Sequence, residues 1–230
     1  MIDLSQRSNQ KELMDADDIP FADMAQTLKE LNIINTRLGG HAITLRGIKK
    51  YIQQNKPTLV CEIGCGGGDN LFAIYNYCNK RNIKVHFIGI DLNPECIAFA
   101  RQQYPQLPCH WICSDYAKVN FDEQPDIIFS SLFCHHFTNE QLISMLQWQY
   151  RESRKGFFIN DLHRHWLAWF LIKNITQFFS KSYLVKNDAA VSVARGFRKK
   201  EWQHLFQQAG IENYNISWQW AFRFLVSCKK

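Results

Sequence analysis

Leu59-Val60-Cys61-Glu62-Ile63-Gly64-Cys65-Gly66-Gly67-Gly68 begins as an apolar run, passes through one acid and ends in glycines at a spacing of two. Such a run is a buried strand feeding a tight turn, with a helix from Asp69 onward. Glycine has no Cβ, so the turn bends sharply and a ligand can lie against bare backbone. The spacing narrows the ligand. A dinucleotide site asks for Gly-x-Gly-x-x-Gly, with the pyrophosphate at the helix N-terminus. Here the last of those positions is Asp69, a negative charge where a pyrophosphate needs positive potential. The Gly-Lys-Ser/Thr of a phosphate-binding loop is absent as well.

Outward from this turn, strands and helices alternate. The pattern predicts strands over 58–63, 85–90, 110–113, 125–130 and 156–160. Helices are expected over 70–79, from Pro94 to Gln103, from near Thr138, and over 201–209, with Thr138 and Gln141 as a capping box. Alternation of this kind makes a parallel sheet with helices on both faces. Upstream, Met24, Leu28, Leu31, Ile34 and Leu38 have helical spacing, which Gly39-Gly40 stop. A second helix is expected over 42–54, ended by Lys56-Pro57. Downstream, 161–180 carries a thick apolar stripe from Trp166 to Phe179, interrupted by Lys173 and Asn174 and too short to cross a bilayer. A loop bearing Arg195 and Arg198 follows, and a hairpin over 214–218 and 222–228 closes the chain.

The 230 residues suit one α/β domain with a sizeable core. The net charge of +6 comes from scattered Lys and Arg, with short clusters such as Arg198-Lys199-Lys200. A solvated basic surface accounts for it better than a nucleic-acid face. The eight cysteines form no Cys-x-x-Cys pair and do not read as a disulfide framework. Residues 1–18 are polar, turn acidic through Glu12, Asp15, Asp17 and Asp18, and hold no apolar signal core. A cytoplasmic location is therefore expected.

Glu62-x-Gly64-x-Gly66-x-Gly68 resembles the first motif of class I S-adenosylmethionine (SAM)-dependent methyltransferases, whose ligand is cationic at sulfur and carries no phosphate. The resemblance runs from about Leu59 to Cys228 and includes Asp91, the acid that closes the second strand. It implies an α/β, Rossmann-like fold: a mostly parallel seven-stranded sheet with an antiparallel last strand and a helical lid. The implied organisation is an N-terminal helical cap over 1–56 and a core over 57–230, with a lid insertion at about 162–198. In open α/β sheets the ligand sits outside the carboxyl ends of the strands. There the resemblance places SAM, and S-adenosylhomocysteine as product, on Glu62, Gly64, Cys65, Gly66, Gly68, Asp91, Leu92, Asp115, Tyr116 and Ser130. Asp91 would accept from both ribose hydroxyls and Leu92 would lie on the adenine. Asp115 would accept from the adenine amino group, with Tyr116 beside it. Glu62 would orient the glycine loop and attract the methionyl amino group, a role favoured by the cost of burying it unpaired. The plainer alternative is that Asp91 and Asp115 only start turns.

Methyl transfer to an activated carbon asks the protein to align the acceptor and exclude water. A base adds about two to four orders of magnitude when the acceptor is a hydroxyl. Two histidine clusters end the fourth and fifth strands. From them His135, then His163, then His136 are the candidate bases. Asp161 is read as a cap of the following helix. Arg164, Arg195 and Trp166 are candidate acceptor contacts, although the arginines also suit ion pairs with Asp188 or Glu201. No metal is expected: Ser130-Ser131-Leu132-Phe133 lacks the acid that catechol-type enzymes place after strand four, and no zinc-type spacing occurs. The same segment lacks the motif of amino-methylating DNA enzymes. Pro108-Cys109 lies at the wrong edge for a cytosine C5 nucleophile, and the paired-glutamate loop of arginine methyltransferases is missing. Leu13-Met14-Asp15, Arg37-Leu38-Gly39-Gly40, Asn160-Asp161-Leu162-His163-Arg164 and Ala194-Arg195-Gly196-Phe197-Arg198 resemble bacterial ubiquinone/menaquinone-methyltransferase-like enzymes of polyketide or aryl-pigment type. That resemblance implies O-methylation of an aromatic or polyketide-like small molecule. C- or N-methylation of a quinone or amine, and SAM binding without transfer, are the alternatives. The expected partner is a small-molecule acceptor, with no nucleic acid, no stable membrane insertion, and a homodimer allowed. The Trp166–Phe179 segment is expected to cover an apolar acceptor pocket rather than to dock on a membrane surface.

Overall fold

Seven apolar stretches pair into one sheet. They are β1 (Thr58–Ile63), β2 (Val85–Asp91), β3 (Cys109–Cys113), β4 (Ile127–Ser131), β5 (Gly156–Leu162), β6 (Tyr214–Gln219) and β7 (Arg223–Lys229). This computed structural model describes residues 3–16, 18–54 and 56–230; Asp17 of the acidic start and residues 1, 2 and 55 of the expected cap lie outside them. The strand order is β3-β2-β1-β4-β5-β7-β6. The first five strands run parallel, and β7 is antiparallel to both β5 and β6. The order reverses beside β1, which opens a crevice at the carboxyl ends of β1 and β4.

The helices are α1 (Phe21–Arg37), α2 (Gly40–Ile48), α3 (Asp69–Asn79), α4 (Pro94–Gln103), α5 (Asn139–Glu152), α6 (Trp166–Phe179), α7 (Tyr183–Arg195) and α8 (Lys199–Gln208). Strand residues alternate between faces. Phe87, Ile127, Phe129 and Phe158 join Leu71, Ile74 and Ile97 on one face. Ile63, Ile128, Phe157 and Ile159 join Met145, Trp202 and Phe206 on the other. Thr138 caps α5 through the expected box with Gln141.

Three elements differ from expectation. Helix α2 ends at Ile48, because the chain turns there to bury Tyr51. The Tyr51 hydroxyl lies 2.7 Å and 2.9 Å from the carbonyls of Phe157 and Cys228. Strand β5 continues to Leu162, held by β7 as far as the Leu162–Arg223 pair, so Asp161 is a strand residue and caps nothing. The α6 cap is His165, whose Nδ1 accepts from Leu167 N at 3.2 Å. The expected loop bearing Arg195 and Arg198 is helix α7 as far as Arg195, and Leu184, Val185, Asp188, Val191 and Arg195 of that helix are buried. No helix among the described residues is long and apolar enough to cross a membrane.

Candidate functional site

The glycine turn after β1 is shaped by close neighbours. Gly64, Gly66 and Gly68 have φ of 64°, 49° and 78°, in the region that glycine alone adopts freely. A Cβ on Gly64 would sit 2.1 Å from the Phe133 ring. That ring is brought over the turn by Leu132, a non-glycine residue with φ of 53°. Leucine in this conformation is strained, and strain of this kind concentrates at functional sites.

The turn opens on a cavity of about 570 Å³, within the range of ligand pockets of about 300–1,000 Å³. Its floor is Gly64 to Gly67 and the ends of β2 and β4. Its roof is Met24, Leu28, Leu31 and Asn35 of α1, with Met14, Asp15 and Ala16 of the N-terminal arm. Among the described residues, five carboxylates line it (Asp15, Asp69, Asp91, Glu95 and Asp115), and no Lys or Arg does. Such a lining attracts a cation and repels a phosphate.

Asp91 Oδ2 accepts from Gly66 N at 2.8 Å and Oδ1 from Asn93 N at 2.9 Å. Each oxygen keeps a further acceptor site. Burial raises the Asp91 carboxyl above its ordinary pKa even though these amides favour the anion. Leu92 is largely exposed at the cavity rim. Asp115 Oδ1 accepts from Ala117 N at 3.0 Å, which leaves Oδ2 free. Tyr116 packs edge-on against Phe133, Phe137 and Trp148, and burial pushes its hydroxyl up to about 12.

Gly64, Cys65, Gly66, Asp91, Leu92, Asp115 and Tyr116 thus share one cavity, whereas Glu62, Gly68 and Ser130 do not line it. Gly68 faces Trp111, 2.6 Å from where a Cβ would stand. Ser130 points to the opposite face of the sheet, 3.4 Å from Cys134 Sγ, and the alternation of β4 gives its place to Ser131. Both carboxylate oxygens of Glu62 are buried, and among the described residues neither meets hydrogen-bond geometry, although Asn70 stands near enough to favour the anion slightly. Burial, with Asp69 and Asp91 nearby, holds its carboxyl well above the usual range. A cation bound across the glycine turn would offset that cost.

The histidines separate. His136 alone of the eight histidines lines the cavity. Its Nδ1 lies 3.1 Å from Asp15 Oδ1, and its Nε2 lies 4.0 Å from Glu12 Oε2. His135 is buried behind it. Its Nδ1 is 2.8 Å from Asp161 Oδ1 and its Nε2 3.3 Å from Glu12 Oε1. Burial opposes the imidazolium, but Asp161 and Glu12 overcome it and push His135 up to about 9. Asp161 and Glu12 thus favour the protonated ring, and His135 does not line the cavity. His163 lies between β7 and α6, where its Nδ1 accepts from Trp218 Nε1 at 3.3 Å, and it does not reach the cavity.

Arg164, Arg195 and Trp166 are outside the cavity too. Arg164 is buried in a fork on Glu201, with contacts of 2.6 Å and 3.0 Å, so the ion-pair alternative describes it. Arg195 donates to the carbonyls of His135, His136 and Gln10, and so holds the histidine turn against the N-terminal arm. Trp166 is exposed on α6, none of whose residues lines the cavity.

Sequence reasoning missed Glu12. It is buried under α7, where Ser192 Oγ donates to it at 2.8 Å and Asp188 accepts from Leu13 N and Met14 N. Glu12, His135 and His136 bring three ligand-type atoms within 4.8 Å of one another. Asn35, Asp69 and Arg223 form a further unpredicted chain at the cavity edge. Asn35 donates to Asp69 at 3.1 Å and accepts from Arg223 at 3.0 Å.

Residues 60–156 match a family model described as a methyltransferase domain. Among solved structures, the chain is similar to the plantazolicin methyltransferase BpumL in complex with SAH, at 17% identity over 91% of this chain and 95% of that one, TM-score 0.65. It is similar to a SAM-dependent methyltransferase from Aquifex aeolicus at 16% identity, over 89% and 97% of the two chains, TM-score 0.62. It is similar to human N-acetylserotonin methyltransferase in complex with SAM at 11% identity, over 97% of this chain and 63% of that one, TM-score 0.66. At these identities the likeness is one of fold. No curated protein matches the sequence.

Proposed function

We propose that this SAM-dependent methyltransferase of class I fold methylates a hydroxyl of a small aromatic or polyketide-like acceptor, with His136 as the base. The observation that carries the reading is His136 itself: the one imidazole on the cavity, with its Nδ1 bound to Asp15. SAM, the cofactor, supplies a methyl group already activated on a sulfonium. The lining fits that ligand: bare glycine backbone, free acceptor sites on Asp91 and Asp115, and, among the described residues, five carboxylates with no Lys or Arg beside them in the lining. Asp91 would hold the ribose, Leu92 and Tyr116 the adenine.

The chain's own groups do the rest. Met14, Ile19, Phe133 and Phe137 give the cavity apolar walls that suit an aromatic acceptor. The N-terminal arm and α1 shut out water. Asp15 accepts a hydrogen bond from His136 Nδ1–H, so the lone pair of the neutral ring is on Nε2. The acceptor's O–H proton passes to Nε2 as its oxygen takes the methyl group. The imidazolium so formed lies between Asp15 and Glu12. His135, whose protonated ring Glu12 and Asp161 favour, fixes the turn on which His136 sits. No metal is needed in this scheme.

A panel of phenols and polyketide-like hydroxyls with radiolabelled SAM tests it. His136→Gln should lower turnover by about two to four orders of magnitude, with SAH affinity unchanged. Dialysis against EDTA should leave the wild-type rate intact. A variant with normal rate and pH profile would contradict the base, and loss on chelation reversed by zinc would contradict the metal-free scheme.

A further inference from the structure

Helix α6 buries little of itself. Of its 14 residues only Ala168 and Thr176 are buried, although the sequence is strongly apolar. Trp166, Phe170, Leu171 and Phe178 fall within one half of the helix circumference at about 100° per residue, and all four are exposed. At its end Phe178 and Phe179 are 82% and 83% exposed. The surface continues onto the β6–β7 hairpin. The Trp166 ring meets His165, His165 stacks on Phe222 at 5.1 Å, and Phe222 meets Trp218 edge-on. Trp220 at the hairpin tip is 68% exposed. A soluble monomer seldom leaves so many large aromatics contiguous and uncovered.

The charges that α6 and the turn after it carry themselves are positive, and Glu30 of α1 reaches that turn, where Ser180 Oγ, Lys181 N and Ser182 N donate to it. Residues 162–187 contain no Asp or Glu, while Lys173, Lys181 and Lys186 lie among or beside the aromatics. Lys173 Nζ sits 4.8 Å from the Trp169 ring centroid, and Lys181 follows the Phe178-Phe179 pair after one residue. A second copy seated on this face would set its own Lys173, Lys181 and Lys186 against these, with Glu30 already engaged by the turn after α6. An anionic bilayer supplies both an apolar layer and negative headgroups. A helix of this length cannot span a bilayer, but its aromatics can enter the interface while the lysines stay at headgroup level.

We propose that the face formed by α6 and the β6–β7 hairpin docks the chain on the surface of membranes that contain anionic lipids. Docking there would bring the enzyme to lipophilic acceptors that partition into membranes. The inference replaces the expected role of α6 as a roof over the acceptor pocket, since no α6 residue lines the cavity.

The test is co-sedimentation with vesicles of phosphatidylcholine alone and of phosphatidylcholine with an equal part of phosphatidylglycerol. The wild type should pellet with the mixed vesicles at low salt, less with phosphatidylcholine alone, and less again at high salt. Phe178→Ser with Phe179→Ser should cut partitioning at least about tenfold, with circular dichroism and SAH affinity unchanged. Replacing Lys173, Lys181 and Lys186 with Gln should remove the preference for phosphatidylglycerol. Wild-type protein that stays in the supernatant at low salt would overturn the proposal. So would a dimer, seen by ultracentrifugation, that the double Phe variant dissolves in a protein that binds no vesicle. SAH affinity is read in each arm, so these results are distinct from a failure of the cofactor site.

Discussion

The His135 ring is enclosed between Asp161 and Glu12, and its protonated form offsets one of the two buried negative charges. Its pKa stands at about 9 against an ordinary 6.5. A raised folded value means that the contact stabilises fully below the unfolded pKa, and that its contribution is lost as pH rises through the folded one. Glu12 and Asp161 lie below their ordinary values of 4.5 and 3.8 despite burial, because His135 faces them. Their contribution is present above those values and is lost as pH falls through the folded ones. The melting temperature should therefore decline between pH 6.5 and about 9, and His135→Gln should flatten that decline. A wild-type curve with no slope in this window would contradict the buried imidazolium. At this scale the sequence placed acids and histidines at the strand ends, because a strand that closes on a polar residue announces its edge. It did not say which histidine faces inward. That depends on the tight Cys134–His136 turn and on Glu12, a partner remote in the chain.

Helix α7 organises the site without touching the cavity. Asp188 accepts from Leu13 N at 2.8 Å and from Met14 N at 2.9 Å, Ser192 binds Glu12, and Arg195 ties Gln10 to the histidine turn. Asp188→Ala leaves two backbone donors without their acceptor, a cost of about 1–3 kcal/mol for each one kept from water. Amide exchange at Leu13 and Met14 should rise, and turnover should fall with the fold intact. Unchanged exchange would show that the arm is held by other means. The Ala-Ala-Val-Ser-Val run of this segment is poor in strong apolar periodicity, so its helix is hard to see in the sequence. The burial of Asp188 and Arg195 on the inner face, at helical spacing from Leu184 and Val191, is visible only once their partners are in place. Leu13-Met14-Asp15, Asp161 to Arg164 and Ala194 to Arg198 were noted separately in the sequence. In the fold they meet around one histidine pair.

Across the whole molecule, the alternating strands and helices made the parallel sheet legible, and the terminal hairpin foretold the antiparallel pair. The reversal of order beside β1 then puts the glycine turn, Asp91 and Asp115 on one cavity. Period-two alternation also decides the details that were misplaced: it turns Ser130 and Asp161 to the α5 side and Ser131 to the cavity. The roof was half legible. Helix α1 covers the cavity as its apolar stripe suggested, whereas α6, with the wider stripe, lies elsewhere and leaves that face uncovered. The central claim is that this cavity holds SAM with its reactive end toward His136. A crystal structure of the chain with S-adenosylhomocysteine tests it most directly. The account predicts the ribose hydroxyls on Asp91 and the sulfur opening toward His136 Nε2. A ligand whose sulfur faces away from His136, or one bound beside His163 with this cavity left empty, would contradict it.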